Sequence, residues 1–381
     1  MLPVIFLIAA AVLWASVFGY VAILVAAAAR RWLRQRRLDR PAPSDELPPI
    51  AVVVPVRNEE QLLPAKLADL RRTAYPTDRL SVIVVDGGSS DATVALAEAE
   101  RDRGAALSIV RVDNARCRAT QLNAVLGALP QPILVITDVD AELDPDCIPA
   151  LVQVLLADSR IDVVGARVEP ATRLLEERIH WWLLNSLWWL EGEALGNGQV
   201  SGVCYALRSS AVAVLPPDCT ADDIRFALLA SARGREVRLC RGALATELRV
   251  PTTAREFVTF RRRRGTGYLR ELRRTRPTAA PLRWHLVQAL RLYHFFVMPV
   301  LAAAVAGAAV LLLATPHWPW PLLAGMAFAV PAAVALFASK TLGEGRRWQL
   351  GLAAGRLAGL TWFSMLALPR AATSRLVKGD H

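Results

Sequence analysis

Two long stretches without charged side chains constrain what this chain can fold into. Residues 1–29 contain none, and residues 293–339 contain no Asp, Glu, Lys or Arg. Because a helix needs about 20 apolar residues to cross a bilayer, the first stretch predicts one membrane span and the second predicts two, with a turn at 315–321. A later apolar run, 348–368, is interrupted by Arg356 and leaves a third C-terminal span open.

Residues 1–29 have two interpretations, a membrane anchor and a cleaved signal peptide. Small residues at 26–29 would suit cleavage, but the segment lacks a positively charged start and its apolar run is longer than that of signal peptides. Six arginines follow between residues 30 and 40, which by the positive-inside rule places this end of the helix in the cytoplasm. We therefore expect an uncleaved anchor, a multi-pass protein of the cell (inner or plasma) membrane, and a cytoplasmic globular domain.

Arginine makes the chain strongly basic. The formal net charge is +11, and only Lys66, Lys340 and Lys378 are lysine. Beside membrane spans this charge favours anionic lipid headgroups as partners. No nucleic-acid-binding module is recognisable, so nucleic acid is not an expected partner. Five cysteines without a C-x-x-C pair, and scattered histidines, indicate neither a disulfide framework nor a zinc site.

Between the two apolar ends, short apolar runs alternate with helical patterns. Strands are predicted at 50–56, 80–86, 106–112 and 132–138, separated by helices at 59–72, 91–104 and 118–128. Continuous apolar strands of this kind are typical of a parallel sheet with both faces covered, so the predicted fold class is α/β. Ligands of such sheets bind at the carboxyl ends of the strands.

These patterns divide the chain into six predicted segments. They are an N-terminal transmembrane anchor at 1–29, a basic, Pro-rich linker at 30–49, an α/β domain at 50–275, an amphipathic interfacial helix at 276–294, a C-terminal transmembrane region of two or three helices at 295–370, and a basic tail at 371–381. The interfacial helix is predicted because its apolar residues fall at helical spacing and alternate with Arg, Trp and His.

Acidic residues follow the last predicted strand at every second position. They are Asp138, Asp140, Glu142, Asp144 and Asp146. Asp144 precedes Pro145 and an apolar helix and is predicted to be its N-cap, with Asp146 in the first turn and Glu142 solvated. Residues at i and i+2 beyond a strand can turn towards one hard cation, so Asp138 and Asp140 are candidate ligands of Mg²⁺ or Mn²⁺.

The two common phosphate-binding loops are absent from the sequence. No G-x-G-x-x-G follows the first predicted strand, and no G-x-x-x-x-G-K-[ST] occurs anywhere. A cation held by Asp138 and Asp140 would instead offset the charge of a diphosphate and make a nucleoside diphosphate a better leaving group.

Seven segments resemble the inverting glycosyltransferases of family 2, which have the GT-A fold. They are VVVPVRNEE (52–60), VIVVDGGSSDAT (82–93), RATQLNAVL (118–126), VITDVDAEL (135–143), SGVCYALRSSAV (201–212), TADDIRFALLASARG (220–234) and FRRRRGTG (260–267). The resemblance implies a Rossmann-like GT-A cytosolic domain over about 50–270. It also implies a nucleotide-sugar donor (a UDP-sugar by the family default, with GDP open) and a divalent metal, Mn²⁺ or Mg²⁺.

By position, the resemblance also implies roles for individual residues. Those implied to contact the nucleotide sugar are Pro55, Arg57, Asn58, Glu59, Asp86, Arg118, Asn123, Asp138 and Gly202. Asp138 and Asp140 match the D-x-D pair, which holds the sugar diphosphate through the metal. Asp222 and Asp223 match the acidic pair whose second member is the catalytic base, and capping of a helix after Thr220 is the alternative for both.

The sequence departs from the family pattern in two places. Gly87 stands where a second Asp is usual, so a nucleotide contact is expected to be lost or rearranged. The Q-x-x-R-W motif of processive members is replaced by Arg261 to Gly265, and Arg261 and Arg264 are expected to grip the diphosphate instead. We therefore expect transfer of a single sugar, with a processive synthase and a catalytically inactive membrane scaffold as the alternatives.

The acceptor is expected to be a membrane lipid. Nine arginines lie between residues 255 and 276, directly before the predicted interfacial helix, and four tryptophans lie within 181–189. Core packing and a groove or belt at the membrane interface both explain the tryptophans. A domain pressed against the bilayer in this way favours a lipid or polyprenyl-linked acceptor.

Overall fold

The computed structural model describes residues 2–38, 47–103, 106–113, 115, 117–275, 277 and 279–313. Most of the predicted linker, the predicted C-terminal spans beyond residue 313 and the basic tail lie outside these residues. The statements about structure below concern the described part of the chain.

The described strands form one sheet of eight. They are β1 (Ile50–Val56), β2 (Leu80–Asp86), β3 (Leu107–Arg111), β4 (Ile133–Thr137), β5 (Ala141–Leu143), β6 (Ile161–Pro170), β7 (Cys204–Arg208) and β8 (Glu236–Glu247). Their order across the sheet is β3-β2-β1-β4-β7-β6-β8-β5. The predicted strands at 50–56 and 80–86 coincide with β1 and β2, and both predictions are confirmed.

The first half of the sheet is parallel, as predicted. Strand β1 runs parallel to β2 on one side and to β4 on the other, and β3 continues beyond β2. In the second half, β7 lies antiparallel between β4 and β6, β8 is parallel to β6, and β5 is antiparallel at the edge of β8. The carboxyl ends of β1, β2 and β4 therefore meet at one edge of the sheet.

Hydrophobic layers cover both faces of the sheet. Alternate residues of β1 point to opposite sides, so that Val52 and Val54 belong to one layer and Val53 to the other. Every residue of β1 except Pro55 is buried. Burial from both sides explains why the strands read as continuous apolar runs without a polar residue at alternate positions.

Helices cover the sheet and extend beyond it. They are α1 (Leu2–Leu38), α2 (Leu63–Arg71), α3 (Thr93–Asp102), α4 (Arg118–Val125), α5 (Cys147–Ala157), α6 (Leu175–Leu195), α7 (Asp222–Ala232), α8 (Ala254–Arg274), α9 (Leu282–Leu292) and α10 (Met298–Leu313). Helix α9 lies within the predicted interfacial segment 276–294. Helix α1 continues to Leu38, nine residues past the predicted end of the anchor at residue 29.

The start of α5 differs from the prediction. Asp146, and not Asp144, occupies the N-cap position, and its side chain makes no capping hydrogen bond. The Asp144 carboxylate instead accepts the N–H of Asp146 at 3.1 Å, within the turn that precedes the helix. The local competition between an Asx turn and a cap decides this difference. Glu142 is exposed, as predicted.

Helix α1 packs on the domain through apolar and polar contacts. Phe6 and Leu13 are buried against α10. Further along, Tyr20 donates a hydrogen bond to Glu191 of α6 at 2.6 Å, and Arg31 donates to Glu236 at the start of β8 at 2.5 Å. By length and composition the stretch Pro3–Arg31 can cross a membrane.

The end of the described chain contains a second candidate span. It is a bent helix pair, Leu282–Val297 and Val300–Leu312, with an angle of 41° between its halves. Taken together, the pair is long and apolar enough to cross a membrane once, whereas the sequence predicts that this region begins two or three spans.

A buried ion pair joins α6 to α8. Arg261 donates to both carboxylate oxygens of Glu177 at 2.6 Å, and the two side chains are 5% and 0% exposed. His180 contacts the same guanidinium, and the Phe257 ring lies 5.0 Å from it. Burial lowers the pKa of Arg261 to about 10 although Glu177 opposes the shift, so the side chain remains charged at neutral pH.

The variant Glu177→Ala tests how much this ion pair contributes to stability. It leaves Arg261 buried and unpaired, so we expect the free energy of unfolding to fall by about 3–5 kcal/mol. The measurement is chemical denaturation of the purified full chain. Glu142→Ala, which removes an exposed carboxylate, serves as the control and is expected to change stability by no more than about 0.5 kcal/mol. Equal stability of the two variants would contradict the expectation.

Candidate active site

The loops after β1 and β2 are bound to each other at the edge where the strands end. Asn58 has a left-handed backbone with φ 54°. Its N–H donates to the Ser89 hydroxyl at 2.9 Å, and its side-chain oxygen accepts the N–H of Ser90 at 2.8 Å. Asn tolerates this conformation better than most residues because its side chain bonds locally. Asn58 therefore shapes the edge of the site by joining the two loops.

Asp86, the last residue of β2, is buried and bonded within its own loop. Its carboxylate accepts the N–H groups of Gly88 and Ser89 at 3.1 Å each, together with the Ser89 hydroxyl. These bonds hold the loop in a tight turn below the sheet edge. The structure thus places Asp86 at the predicted site and gives it a positioning contact with the loop.

The side chain of Gln121 occupies the space beside Gly87. A Cβ atom at Gly87 would lie 2.8 Å from the Gln121 Nε2 atom, closer than such contacts allow. That nitrogen donates to the carbonyl of Val56 at 2.8 Å and to the carbonyl of Val85 at 2.9 Å. The glycine that departs from the family pattern therefore makes room for an amide that joins the ends of β1 and β2.

A guanidinium lies at the centre of the site. Arg118, the first residue of α4, contacts Asp138 Oδ1 through Nη1, and its Nη2 donates to the carbonyl of Gly202 at 3.2 Å. Its Nε lies 3.3 Å from Asp222 Oδ1. One positive charge thus lies against two carboxylates and one backbone carbonyl.

The first turn of α7 contributes two carboxylates to this cluster. Asp222 is buried, and the Tyr205 hydroxyl donates to its Oδ2 at 2.6 Å. Asp223 is partly buried, and its Oδ2 accepts the N–H of Gly202 at 2.8 Å. Ala221 is the N-cap of α7, with no side-chain capping bond. The bonds to Tyr205 and Gly202 are tertiary contacts that capping does not explain.

The pKa of Asp223 is raised to about 6. Burial is the largest cause, and the neighbouring Asp222 carboxylate raises it further. The N–H groups of Ile224 and Gly202 and the charge of Arg118 oppose the shift. A carboxylate with this pKa is largely ionised at pH 7 and is still basic enough to take a proton from a substrate.

Asp140 lies next to a second group of charges, which includes Arg249 and Glu59. It is partly buried, and burial raises the pKa of its carboxyl above the usual range, while Arg249 opposes the shift. Arg249 binds Glu59 in a two-bond ion pair with distances of 2.6 and 2.5 Å. Glu247 of β8 lies opposite Ala141, the residue after Asp140, and it binds Arg264.

The other predicted residues lie at varying positions relative to this cluster. Pro55 is the penultimate residue of β1 and lies opposite Val85 of β2, and the exposed Arg57 donates to the carbonyl of Ala115 at 3.3 Å. Asn123 uses both ends of its amide on the backbone of Leu215, at 2.8 and 2.9 Å. Asn123 therefore holds the loop before α7 in place through these two hydrogen bonds, and no hydrogen bond joins it to Asp138.

The two arginines of the altered Q-x-x-R-W motif point to different partners. Arg261 is enclosed in the ion pair with Glu177 described above, which gives its guanidinium a structural partner and not a ligand-facing position. Arg264 binds Glu247, and its guanidinium lies 5.0 Å from the centre of the Trp181 ring. Of these two arginines, only Arg264 lies near the predicted site residues, because its partner Glu247 pairs with Ala141, the residue after Asp140.

Sequence reasoning did not single out several residues of the site. Tyr205, Gln121, Arg249 and Glu247 all contact predicted site residues or their neighbours. Tyr205 lies inside a short apolar strand, and Arg249 lies in a loop without a motif. Gln121 and Tyr205 fall within the motifs RATQLNAVL and SGVCYALRSSAV, and the polar side chain of Gln121 on a buried helix face was an available signal.

Comparison with known proteins agrees with this geometry. Residues 51–209 match the glycosyl transferase family 2 profile. A probable glycosyltransferase of Bacillus subtilis, YdaM, is 24% identical over 214 residues, which are 53% of this chain and 51% of that protein. The match thus spans about half of the relative's length.

A solved structure shares the fold over nearly the whole chain. It is that of the mannosyltransferase PcManGT from Pyrobaculum calidifontis, solved in complex with GDP-mannose and Mn²⁺. It is 24% identical, with a TM-score of 0.66, and the alignment covers 96% of this chain and 99% of that one. This likeness shows the GT-A arrangement of the sheet. Over residues 51–209, the chain is similar to glycosyl transferase family 2.

Proposed function

We propose that the chain is a membrane-bound inverting glycosyltransferase that moves one sugar from a nucleotide-sugar donor to a lipid or polyprenyl-linked acceptor in the membrane. The observation that carries the proposal is the placement of Asp223. Its carboxylate, with a pKa raised to about 6, accepts the N–H of Gly202, whose carbonyl is bound by the same Arg118 that contacts Asp138. A base beside a diphosphate-binding pair is what direct displacement at an anomeric carbon needs.

The proposed reaction is a single displacement. The acceptor hydroxyl gives its proton to the Asp223 carboxylate while its oxygen forms a bond to the anomeric carbon. The bond between that carbon and the β-phosphate oxygen breaks, and its electron pair leaves with the nucleoside diphosphate. Tyr205 and Arg118 hold Asp222 and thereby fix the start of α7, which positions Asp223.

Asp138 and Asp140 are the proposed ligands of a divalent cation, Mn²⁺ or Mg²⁺. No cluster of three or more His, Cys, Asp or Glu able to hold a metal occurs among the described residues. Two carboxylates fit a cation that completes its shell with water and diphosphate oxygens. A nearby cation would also favour the ionised form of Asp140, which burial disfavours. Its chemical contribution would be to offset the charge of the leaving diphosphate.

The donor is proposed to be a UDP- or GDP-sugar. A UDP-sugar is the default donor of the family that the chain resembles, whereas the mannosyltransferase of similar fold was solved with GDP-mannose. Both nucleotides therefore belong in a donor screen.

The membrane location is proposed from the distribution of exposed apolar side chains. Ile8 and Ile23 of α1 are 61% and 66% exposed. Helix α9 exposes Leu282 and buries Arg291, the reverse of a helix on a water-facing surface. Patches of this kind mark contact with lipid or with another protein. The bonds of α1 to Glu191 and Glu236 support its retention as an anchor in the mature protein.

Asp223→Asn tests the base. Turnover should fall by about 10²–10⁴-fold because general-base catalysis is lost, while donor binding, measured by calorimetry, should stay within about twofold. In the unaltered enzyme kcat/KM should fall about tenfold per pH unit below pH ~6, because the base becomes protonated. Normal turnover in the variant, or a flat profile between pH 5 and 7, would remove the assignment.

Removal of metal tests the proposed cation. With EDTA present, binding of UDP- and GDP-sugars should be lost and should return with excess Mn²⁺, since the diphosphate loses a shared ligand. Asp140→Asn should weaken metal-dependent binding about tenfold or more, and Glu142→Gln, two residues away and exposed, should not. Full-strength donor binding in chelator would contradict the proposal.

The acceptor is tested by following the sugar. Enzyme, radiolabelled nucleotide sugar and membrane extract are incubated, and the product is partitioned between organic solvent and water. Label should enter the organic phase with the unaltered enzyme and not with Asp223→Asn. Label found only in water-soluble product would exclude a lipid acceptor and leave the transferase activity in place.

A further inference from the structure

A groove on the outer side of α6 has a lining that matches no role assigned so far. Its volume is about 640 Å³, and it lies between α6, the end of β6 and the middle of β8. Its lining includes Arg167, Arg178, Trp181, Trp182, Asn185 and Arg241. We refer to this cavity as the α6 groove.

The α6 groove has an excess of positive charge. Three guanidinium groups and one carboxylate, Glu169, line it. Arg167 contacts Glu169 and donates to the carbonyl of Arg241 at 3.3 Å. Arg241 is exposed and forms no ion pair with any residue in the described part of the chain. Its guanidinium is held over the Trp189 ring at 4.7 Å, and its N–H groups are left to bind an anion.

The other surfaces of the α6 groove are aromatic and apolar. Trp181 and Trp182 line it, and Leu183 beside them is 39% exposed. Helix α6 also packs against α1, the candidate membrane span, through Glu191 and Tyr20. A cavity lined by both guanidinium groups and indole rings matches an amphiphile with an anionic head.

Side-chain contacts link the α6 groove to the candidate active site. Trp181 is buried and lines the groove, and its ring also lies 5.0 Å from the guanidinium of Arg264. Arg264 binds Glu247, which pairs with Ala141, the residue that follows Asp140. A series of contacts through Trp181, Arg264 and Glu247 therefore links the groove to the strand residue next to Asp140.

We propose that the α6 groove binds the phosphate group of a membrane lipid, with Arg241 as the principal contact and Arg178 and Asn185 beside it. Guanidinium groups bind phosphate oxygens with two parallel hydrogen bonds. The Asn185 amide bonds the backbone of Val168 at both ends, and its second N–H can serve as a neutral donor. The further assignment of this lipid as the sugar acceptor rests on the proposed function. It narrows the acceptor to a lipid whose phosphate is separate from the hydroxyl that reacts.

Calorimetry on the full chain in detergent micelles tests the proposal, with dihexanoyl phosphatidic acid as the probe. The unaltered protein should bind it, and Arg241→Gln should weaken binding about ten- to hundredfold because charge-assisted bonds are lost. Arg241→Lys should retain part of the affinity. Arg101→Gln is the matched control, an exposed arginine on α3 at the opposite edge of the sheet, and it should bind like the unaltered protein.

The source of the phosphate is resolved by two further titrations. Inorganic phosphate and dihexanoyl phosphatidylcholine should each bind at least tenfold more weakly than the phosphatidic acid. Equal affinity for inorganic phosphate would overturn the lipid assignment in favour of a soluble phosphate. Unchanged phosphatidic acid binding in Arg241→Gln would overturn the site itself.

Asp223→Asn separates this proposal from the proposed function. It should bind the phosphatidic acid normally, because Asp223 does not line the groove. If that variant turns over normally and Arg241→Gln still loses the lipid, the proposed catalytic mechanism fails and the groove assignment stands. If Asp223→Asn loses turnover and Arg241→Gln binds the lipid normally, the mechanism stands and the groove assignment fails.

Discussion

Arg118 lies between carboxylates that come from the two halves of the sheet. Asp138 follows β4, the last strand of the parallel half, and Asp222 begins α7, which precedes β8 in the mixed half. Without a positive charge between them, these groups and Asp223 would repel one another in a partly buried space. The guanidinium makes their close approach stable and also holds the carbonyl of Gly202. The cluster thus depends on one side chain for its net charge and its shape.

A second polar network joins helices α1, α6 and α9 to the same site. Arg291 of α9 donates to Glu191 at 2.5 Å, to the carbonyl of Asn197 at 3.0 Å and to Gln199 at 3.3 Å. Glu191 also accepts the hydroxyl of Tyr20 from α1. The segment from Asn197 leads directly to Gly202. Buried charges of this kind persist only when their partners are complete, so α1 and the loop that leads to Gly202 are held by one set of bonds.

The strands of the parallel half could be predicted closely because the physical signal is local. Strands β1 and β2 are covered on both faces, so every position is apolar and the run has clear ends. Helix ends were less certain, since α2 begins at Leu63 and not near residue 59, and α5 begins two residues later than a cap at Asp144 implies. At such points, turn hydrogen bonds compete with the first helical turn.

The sequence alone determined that the chain is α/β, that its strand ends carry polar side chains, and that Asp138, Asp140 and Asp223 are the acids to examine. These conclusions follow from apolar runs and from motifs a few residues long. Only the tertiary structure decided the partners of those acids and of the arginines. Glu59 and Arg249 are 190 residues apart, and Arg261 and Glu177 are 84 apart. Ion pairs over such separations depend on the path of the chain through the sheet, because any carboxylate and any guanidinium attract each other and no local pattern selects between them.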